Sequence, residues 1–225
     1  MMMGLIGRKI GMTEIFDESG KQIPVTVIRV GPCTVLEVKN KDSHGYNAIK
    51  LGFEELKEKK LNSPKRGYFD SLNIKLKEQN KDINIAPKAV VREFRVNDNE
   101  LSMEVGQDLD VSIFENIKYV DIIGKSKGRG FTGMVKRFNA KRGKMTHGSK
   151  FHRGLGGTAM REQPGRVYPF KKMPGHYGNE QVTVQNLEVI KLIKDENIIL
   201  VKGAVPGGKN NLVLVKKSVK KLENK

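Results

Sequence analysis

Between Lys125 and Gly178 the chain carries fourteen cations (Lys125, Lys127, Arg129, Lys136, Arg137, Lys141, Arg142, Lys144, Lys150, Arg153, Arg161, Arg166, Lys171 and Lys172) against one acid, Glu162. This segment holds +13 of the formal +17 of the whole chain. Eleven of the 24 glycines and six aromatics (Phe131, Phe138, Phe151, Tyr168, Phe170, Tyr177) fall in it, and periodic Val/Ile/Leu runs do not. Such a stretch cannot form an ordinary core, and like charges at this density repel unless a polyanion neutralises them. The composition therefore implies a nucleic-acid-binding extension that emerges from a separately folded body.

The remainder supports that division. Outside the segment 28 Lys/Arg balance 24 Asp/Glu, and the apolar residues there suffice for a core. Mixed-sign runs such as Glu54 to Lys60 read as solvated surface. Cys33 is the only cysteine, which excludes an intramolecular disulfide and a Cys-based zinc site and suggests a reducing compartment; it reads as a small core residue. No window approaches the ~20 apolar residues of a membrane span, and Met1 to Leu5 lacks the regions of a signal peptide. The expectation is a cytoplasmic protein with no membrane partner.

The body reads as mainly β. Gln22 to Val30 and Cys33 to Lys39 are β-branched and joined by Gly31-Pro32, a hairpin signal, and Asn47 to Phe53 continues the pattern. Residues 54–87 turn polar, with candidate helices at Glu54 to Lys60 and Ser71 to Gln79, and suggest a small α+β insert around 54–100. Strand patterns resume at Ala89 to Val96, Leu109 to Phe114 and Tyr119 to Ile123. After the extension they recur at Gln181 to Leu187, Val189 to Ile193, Ile198 to Lys202 and Leu212 to Val215. Short strands at this spacing indicate a barrel or sandwich. Strands flank the extension on both sides, so a body of 1–124 and 179–217 anchors a loop of 125–178, with a basic tail at 218–225. At ~3.3 Å per residue the loop's tip reaches at most ~90 Å from the body.

Enzymatic constellations are missing. Gly128-Arg129-Gly130-Phe131-Thr132-Gly133 matches G-x-G-x-x-G, but His147 and Gly148 stand where a dinucleotide fold needs an acid. His147, His152 and His176 lack the carboxylates or thiolates of a metal site, and a two-metal nuclease needs clustered acids. Ser126 and Ser149 have no nearby Asp to orient a histidine. No cofactor, metal or small-molecule substrate is therefore expected, and the three histidines join the cations as RNA contacts. Glycines between cations allow close backbone approach to phosphates, while aromatics stack on unpaired bases. Phe131 and Phe138 fit stacking and pinning of the loop base equally well. Arg8 and Lys9 are further candidates for phosphate contact, and Lys216 to Lys221 read as a solvated tail.

Phe114, Asp121, Gly124, Ser126, Gly128-Arg129-Gly130, Gly133 and Arg137 together resemble the signature of the large-subunit ribosomal protein L-three family in its bacterial form. Gly4 to Thr13, Lys171-Lys172-Met173, Gly178-Asn179-Glu180 and Val201 to Gly207 extend the resemblance over essentially the whole chain. It implies a closed β-barrel of the translation-protein type, with a small α+β insert and a long basic loop entering large-subunit rRNA. It also implies a structural, non-catalytic role: nucleating subunit assembly and bracing RNA near the peptidyl transferase centre. Neighbouring proteins of the L-fourteen and L-nineteen families follow from the same resemblance. A free-standing RNA-remodelling factor or chaperone is the alternative. The loop tip is expected at Gly154 to Gly165, with Gly154, Leu155, Gly156, Gly157, Glu162 and Gln163 facing that centre. The chain departs from the family at Leu155 to Ala159, at Phe138 where many relatives carry Trp, and at Glu162 where some carry a methylated Gln.

Overall fold

The first strand, β1 (Gly4–Phe16), is a 13-residue strand that hydropathy alone hides, because Gly7, Arg8, Lys9 and Gly11 interrupt its alternation. It pairs antiparallel with β2 (Gln22–Val30), and a bulge between Lys9 and Gly11 shifts the register. The computed structural model describes residues 4–78, 83–97 and 103–221. Within these the protein is mainly β, and one unit comprises residues up to 125 together with those from 182 onward.

The chain next leaves for a second sheet. β3 (Cys33–Lys39) is followed by a one-turn helix, α1 (Lys41–His44), and by β4 (Ala48–Glu55). A 3-10 turn at Glu58–Lys60 leads to α2 (Ser63–Glu78), then β5 (Lys88–Arg95) and β6 (Asp108–Leu109). The sheet order is β5-β4-β3-β6, all antiparallel neighbours. Asn62 caps α2, its Oδ1 accepting the Lys65 N–H at 3.3 Å, and Pro64 sits in the first turn, where no intrahelical N–H is needed.

A 3-10 turn at Val111–Phe114 returns the chain to β7 (Tyr119–Lys125). Residues 126–181 form the second unit and contain β8 (Phe131–Thr132), α3 (Met134–Phe138) and β9 (Gly175–His176). The body resumes along β10 (Gln181–Ile193), β11 (Ile198–Lys202) and β12 (Leu212–Lys217). Six strands make a barrel in the order β1-β12-β7-β10-β11-β2, and β2 pairs back onto β1.

One core serves the barrel and the second sheet together. Leu5, Ile6, Ile28, Ile122, Ile199 and Val215 from the barrel join Ile49, Leu51, Phe53, Phe94 and Phe114 in a continuous buried cluster. Leu36 points the other way and meets Phe69, Leu76 and Ile85 beneath α2. β3 thus buries both of its faces, which is why its sequence is a run rather than an alternation. Cys33 lies in this core with its Sγ 3.5 Å from the Ile6 carbonyl, and burial pushes its thiol up to about 12. Asp121 is buried too; it accepts the Asn186 N–H at 2.8 Å and the Val219 N–H at 3.3 Å, tying β7 to β10 and to the chain after β12.

Several sequence expectations need correction. Gln22 to Val30 and Cys33 to Lys39 are strands but not a hairpin: β2 pairs with β1 and β11, and β3 with β4 and β6. Gly31, at φ +81° with the Leu109 carbonyl 3.0 Å from where a Cβ would be, turns the chain out of one sheet into the other. The second sheet accordingly starts at Cys33, well before residue 54. Glu54 to Lys60 is a strand end and a 3-10 turn rather than a helix, because Ile49, Leu51 and Phe53 bury alternately in the core and draw the segment into β4. The other helix begins at Ser63, earlier than Ser71, and Gln79 lies outside the described residues. Leu109 to Phe114 is mostly a 3-10 turn, and residues 181–193 form one strand rather than two.

Candidate nucleic-acid interface

The two limbs of residues 126–181 are zipped together at their base. The Ser126 N–H donates to the Glu180 carbonyl at 2.8 Å, and the Ser126 hydroxyl accepts the Glu180 N–H at 3.2 Å. Arg129 N–H donates to the Tyr177 carbonyl and Tyr177 N–H to the Gly130 carbonyl, at 2.8 and 2.9 Å. β8 and β9 continue the pairing, with Phe131 opposite His176 and Thr132 opposite Gly175. Glycine is required here for close approach: a Cβ on Gly178, at φ +73°, would overlap the Lys127 carbonyl.

Arg137 stitches the next layer. Its Nη1 donates to the Met173 carbonyl at 3.0 Å and lies 2.5 Å from where a Cβ on Gly175 would be. Its guanidinium stands 4.9 Å from the Phe138 ring centroid, and Lys172 Nζ approaches the same ring at 5.8 Å. Phe138 is thereby half-buried among cations, whereas Phe131 is 80 % exposed. The two aromatics that the sequence left open have diverged: one packs within the loop and the other is free to stack.

Farther out, Gly143 N–H donates to the His152 carbonyl at 2.8 Å, and His152 Nδ1 lies 3.0 Å from the Lys144 carbonyl. A Cβ on Gly143 would collide with the Phe151 carbonyl, and one on Gly154 would lie 2.8 Å from the Phe151 ring. Beyond this clasp, residues 154–165 contain no helix or strand. Lys171 Nζ donates to the Gly157 carbonyl at 3.0 Å, and Arg166 stands 5.3 Å from the Tyr168 ring centroid. Met160 and Arg161 both adopt left-handed backbone, at φ +53° and +58°. Gly156 and Gly157 have open space where a Cβ would project. Leu155 is half-buried, while Glu162 and Gln163 are exposed.

The electrostatics are one-sided. Among the described residues, no cation between 126 and 181 has an acidic partner within ion-pair distance, and Glu162 pairs with none of them. Lys125, Lys127, Arg129, Lys136, Lys141, Arg142, Lys144, Lys150, Arg153, Arg161, Arg166, Lys171 and Lys172 are exposed, as are His147 and His176; only Arg137 and His152 are half-buried. No apolar side chain of this unit is in a buried core, and Phe170 is 88 % exposed. The histidines stand apart, and no group of three His, Cys, Asp or Glu able to hold a metal occurs among the described residues. No helix among them is long and apolar enough to cross a membrane.

Arg8 and Lys9 lie elsewhere and already have partners. Arg8 forms a two-point pair with Glu54, Nε to Oε1 at 2.6 Å and Nη2 to Oε2 at 2.7 Å, and donates from Nη1 to the Asn210 carbonyl at 2.7 Å. Lys9 is buried and donates to the Val205 carbonyl at 2.8 Å. Sequence reasoning read the glycines only as openings toward phosphate, and missed that Gly143, Gly175 and Gly178 accommodate atoms of the chain itself. Those contacts join residues up to 51 apart, and no local pattern signals them.

Known proteins place this arrangement in context. The family model for Ribosomal protein L3 matches residues 82–197, from β5 across the basic unit to the turn before β11. The large ribosomal subunit protein uL3 of Petrotoga mobilis is 48 % identical over 219 residues, covering 97 % of each chain. That of Acetivibrio thermocellus is 47 % identical over 217 residues, covering 96 % of this chain and 97 % of its own. Near-complete coverage at this identity, with the signature residues Asp121, Gly124, Ser126 and Arg137 fixing the barrel wall and the base of the loop, leads to one assignment: the chain belongs to the ribosomal protein L3 family.

Proposed function

We propose that this chain is a structural constituent of the large ribosomal subunit, bound to its rRNA in the cytoplasm and catalysing no reaction. The observation that carries the reading is the absence, among the described residues, of acidic partners for the exposed cations of residues 126–181, a charge density that a polyanion relieves. The name of the relatives, large ribosomal subunit protein, supplies the particle. The body is the closed barrel shared with translation factors, carrying its insert, and 125–178 is the segment that enters RNA. Arg129, Arg142, Arg153 and their neighbours meet phosphates, and exposed Phe131 and Phe170 offer ring faces to bases. The chain nucleates assembly of the large subunit, the loop tip at 154–165 braces RNA near the peptidyl transferase centre, and proteins of the L-fourteen and L-nineteen families are neighbours of the chain.

Sedimentation tests this reading. The chain is expected to co-migrate with the large subunit at one copy and to survive a high-salt wash: phosphate contacts alone make binding to naked RNA salt-sensitive, but a segment enclosed by folded RNA leaves the assembled particle slowly. A free-standing RNA-remodelling factor would wash off, and that result would overturn the proposal.

A further inference from the structure

β12 stops pairing with β1 at Arg8, and β11 stops pairing with β2 at Val25. From Gly11 to Pro24 the two strands therefore run on as a two-stranded ribbon beyond the barrel ladders. Alternation puts Met12, Glu14 and Phe16 on one face of β1, opposite Thr26, Pro24 and Gln22 of β2. Met12 is 52 % and Phe16 66 % exposed, so this face shows two large apolar side chains to solvent. The outer edge of β1 along Gly11 to Phe16 pairs with no strand among the described residues.

The charge of the ribbon is opposite to that of the molecule. Glu14, Asp17 and Glu18 are exposed and form no ion pair among the described residues, against a single Lys21, in a chain of net +17. Asp17 uses its backbone and Oδ1 to close the turn, through the Gly20 N–H at 2.8 Å and the Glu18 N–H at 2.9 Å, so the turn is ordered and presents its acids outward. An RNA phosphate is repelled from such a surface. An open edge, an apolar face and an acidic rim together fit an extended protein segment bearing Lys or Arg.

We infer that the β1–β2 ribbon docks a neighbouring protein, whose Lys/Arg-bearing extended segment lies along β1 over Met12 and Phe16. This rests on the proposed place of the chain in the large subunit and names a surface for protein contact within it. The apolar side chains supply buried area, and Glu14, Asp17 and Glu18 select a basic partner over RNA.

The test replaces Phe16 with the photoreactive p-benzoylphenylalanine in the full chain, isolates assembled large subunits, irradiates them and digests the RNA. The expected product is an adduct to a protein segment rich in Lys or Arg that survives nuclease. An RNA adduct, or none, overturns the inference while leaving the functional reading intact. In a second arm Asp17→Lys/Glu18→Lys is added: affinity for naked rRNA is expected to hold or rise, and the protein adduct to fall roughly tenfold. An unchanged adduct overturns the role of the acids. A chain that sediments apart from the large subunit overturns the functional reading and this inference with it.

Discussion

Arg8 on β1 and Glu54 at the end of β4 form a two-point ion pair, 2.6 and 2.7 Å, that fastens the barrel to the second sheet. Arg29 adds a third bond to the same carboxylate at 3.1 Å. Hydrogen bonding from Arg8 holds the Glu54 carboxyl below its ordinary value of 4.5. The unfolded chain therefore binds a proton at Glu54 before the folded one does, so the pair's contribution is complete above 4.5 and is lost as pH falls through the lower folded value. Arg8→Ala is expected to cost about 1 to 2 kcal/mol, and Glu54→Gln to flatten the acid limb of stability. Urea denaturation on either side of pH 4.5 checks both.

The alkaline limb belongs in part to Cys33. Its folded value of about 12 stands above its ordinary 9.0, so between these the unfolded thiol ionises and the folded one does not. Stability is expected to be unaffected by this group below 9 and to fall as pH rises toward 12. Cys33→Ala should remove that portion of the decline, read from thermal melts across the range, and native protein should resist iodoacetamide until it unfolds.

The extension is expected to open first. Among the described residues every large buried apolar side chain lies outside residues 126–181, so that unit is held by hydrogen bonds and cation–ring contacts rather than by an apolar core. Such regions lie at the low-stability end of a protein. Limited proteolysis of the free chain should cut between Lys125 and Gly178 and leave the barrel intact, with rRNA protecting the same bonds. Uniform resistance in the free protein would contradict this.

What could be read from sequence depended on how local the cause was. Charge and glycine content marked the 125–178 segment, and β11 and β12 followed from β-branched runs, whereas β10 read as two strands. The β2–β3 hairpin failed because strand propensity says nothing about which sheet a strand joins; the turn at Gly31 and burial of β3 on both faces decided that. β1 stayed hidden because its glycines serve close packing: Cβ atoms on Gly4 and Gly7 would lie 2.5 Å from the Val215 and Arg29 carbonyls. Arg8 looked like a phosphate contact because its partner, Glu54, is 46 residues away. Charge is legible in a sequence, but its neutralisation by a distant acid is not.

Affinity for rRNA should be strongly salt-dependent. If the cations of the extension make about 6 to 10 phosphate contacts, binding should weaken roughly 10³- to 10⁵-fold between 50 and 200 mM salt. Alanine at Arg129 and Arg142 should lower the slope by about 0.7 to 0.9 per lost contact, and Arg137→Ala should in addition loosen the loop by removing its bond to the Met173 carbonyl, whereas alanine at Lys216, Lys217 and Lys220 should barely move it. Lys216 is turned to packing, 5.4 Å from the Phe94 ring centroid. Filter binding over a salt series reads the slope, and equal effects of the two sets would contradict the assignment.

The tip offers the cleanest separation of RNA contact from folding. A Cβ on Gly156 or Gly157 meets nothing within 4 Å, and neither residue has the positive φ that would strain a side chain. Gly156→Leu is therefore expected to leave the melting temperature and barrel-mediated RNA binding unchanged, since nothing in the chain resists it. Gly143→Ala, with its Cβ driven into the Phe151 carbonyl, should instead disrupt the clasp between Gly143 and His152. If residues 154–165 lie against RNA near the peptidyl transferase centre, the leucine meets that RNA and nothing else. Its effect should then appear only in assembled ribosomes, as slower peptide-bond formation or altered sensitivity to drugs that bind the centre. Normal assembly with both properties unchanged would put the tip elsewhere.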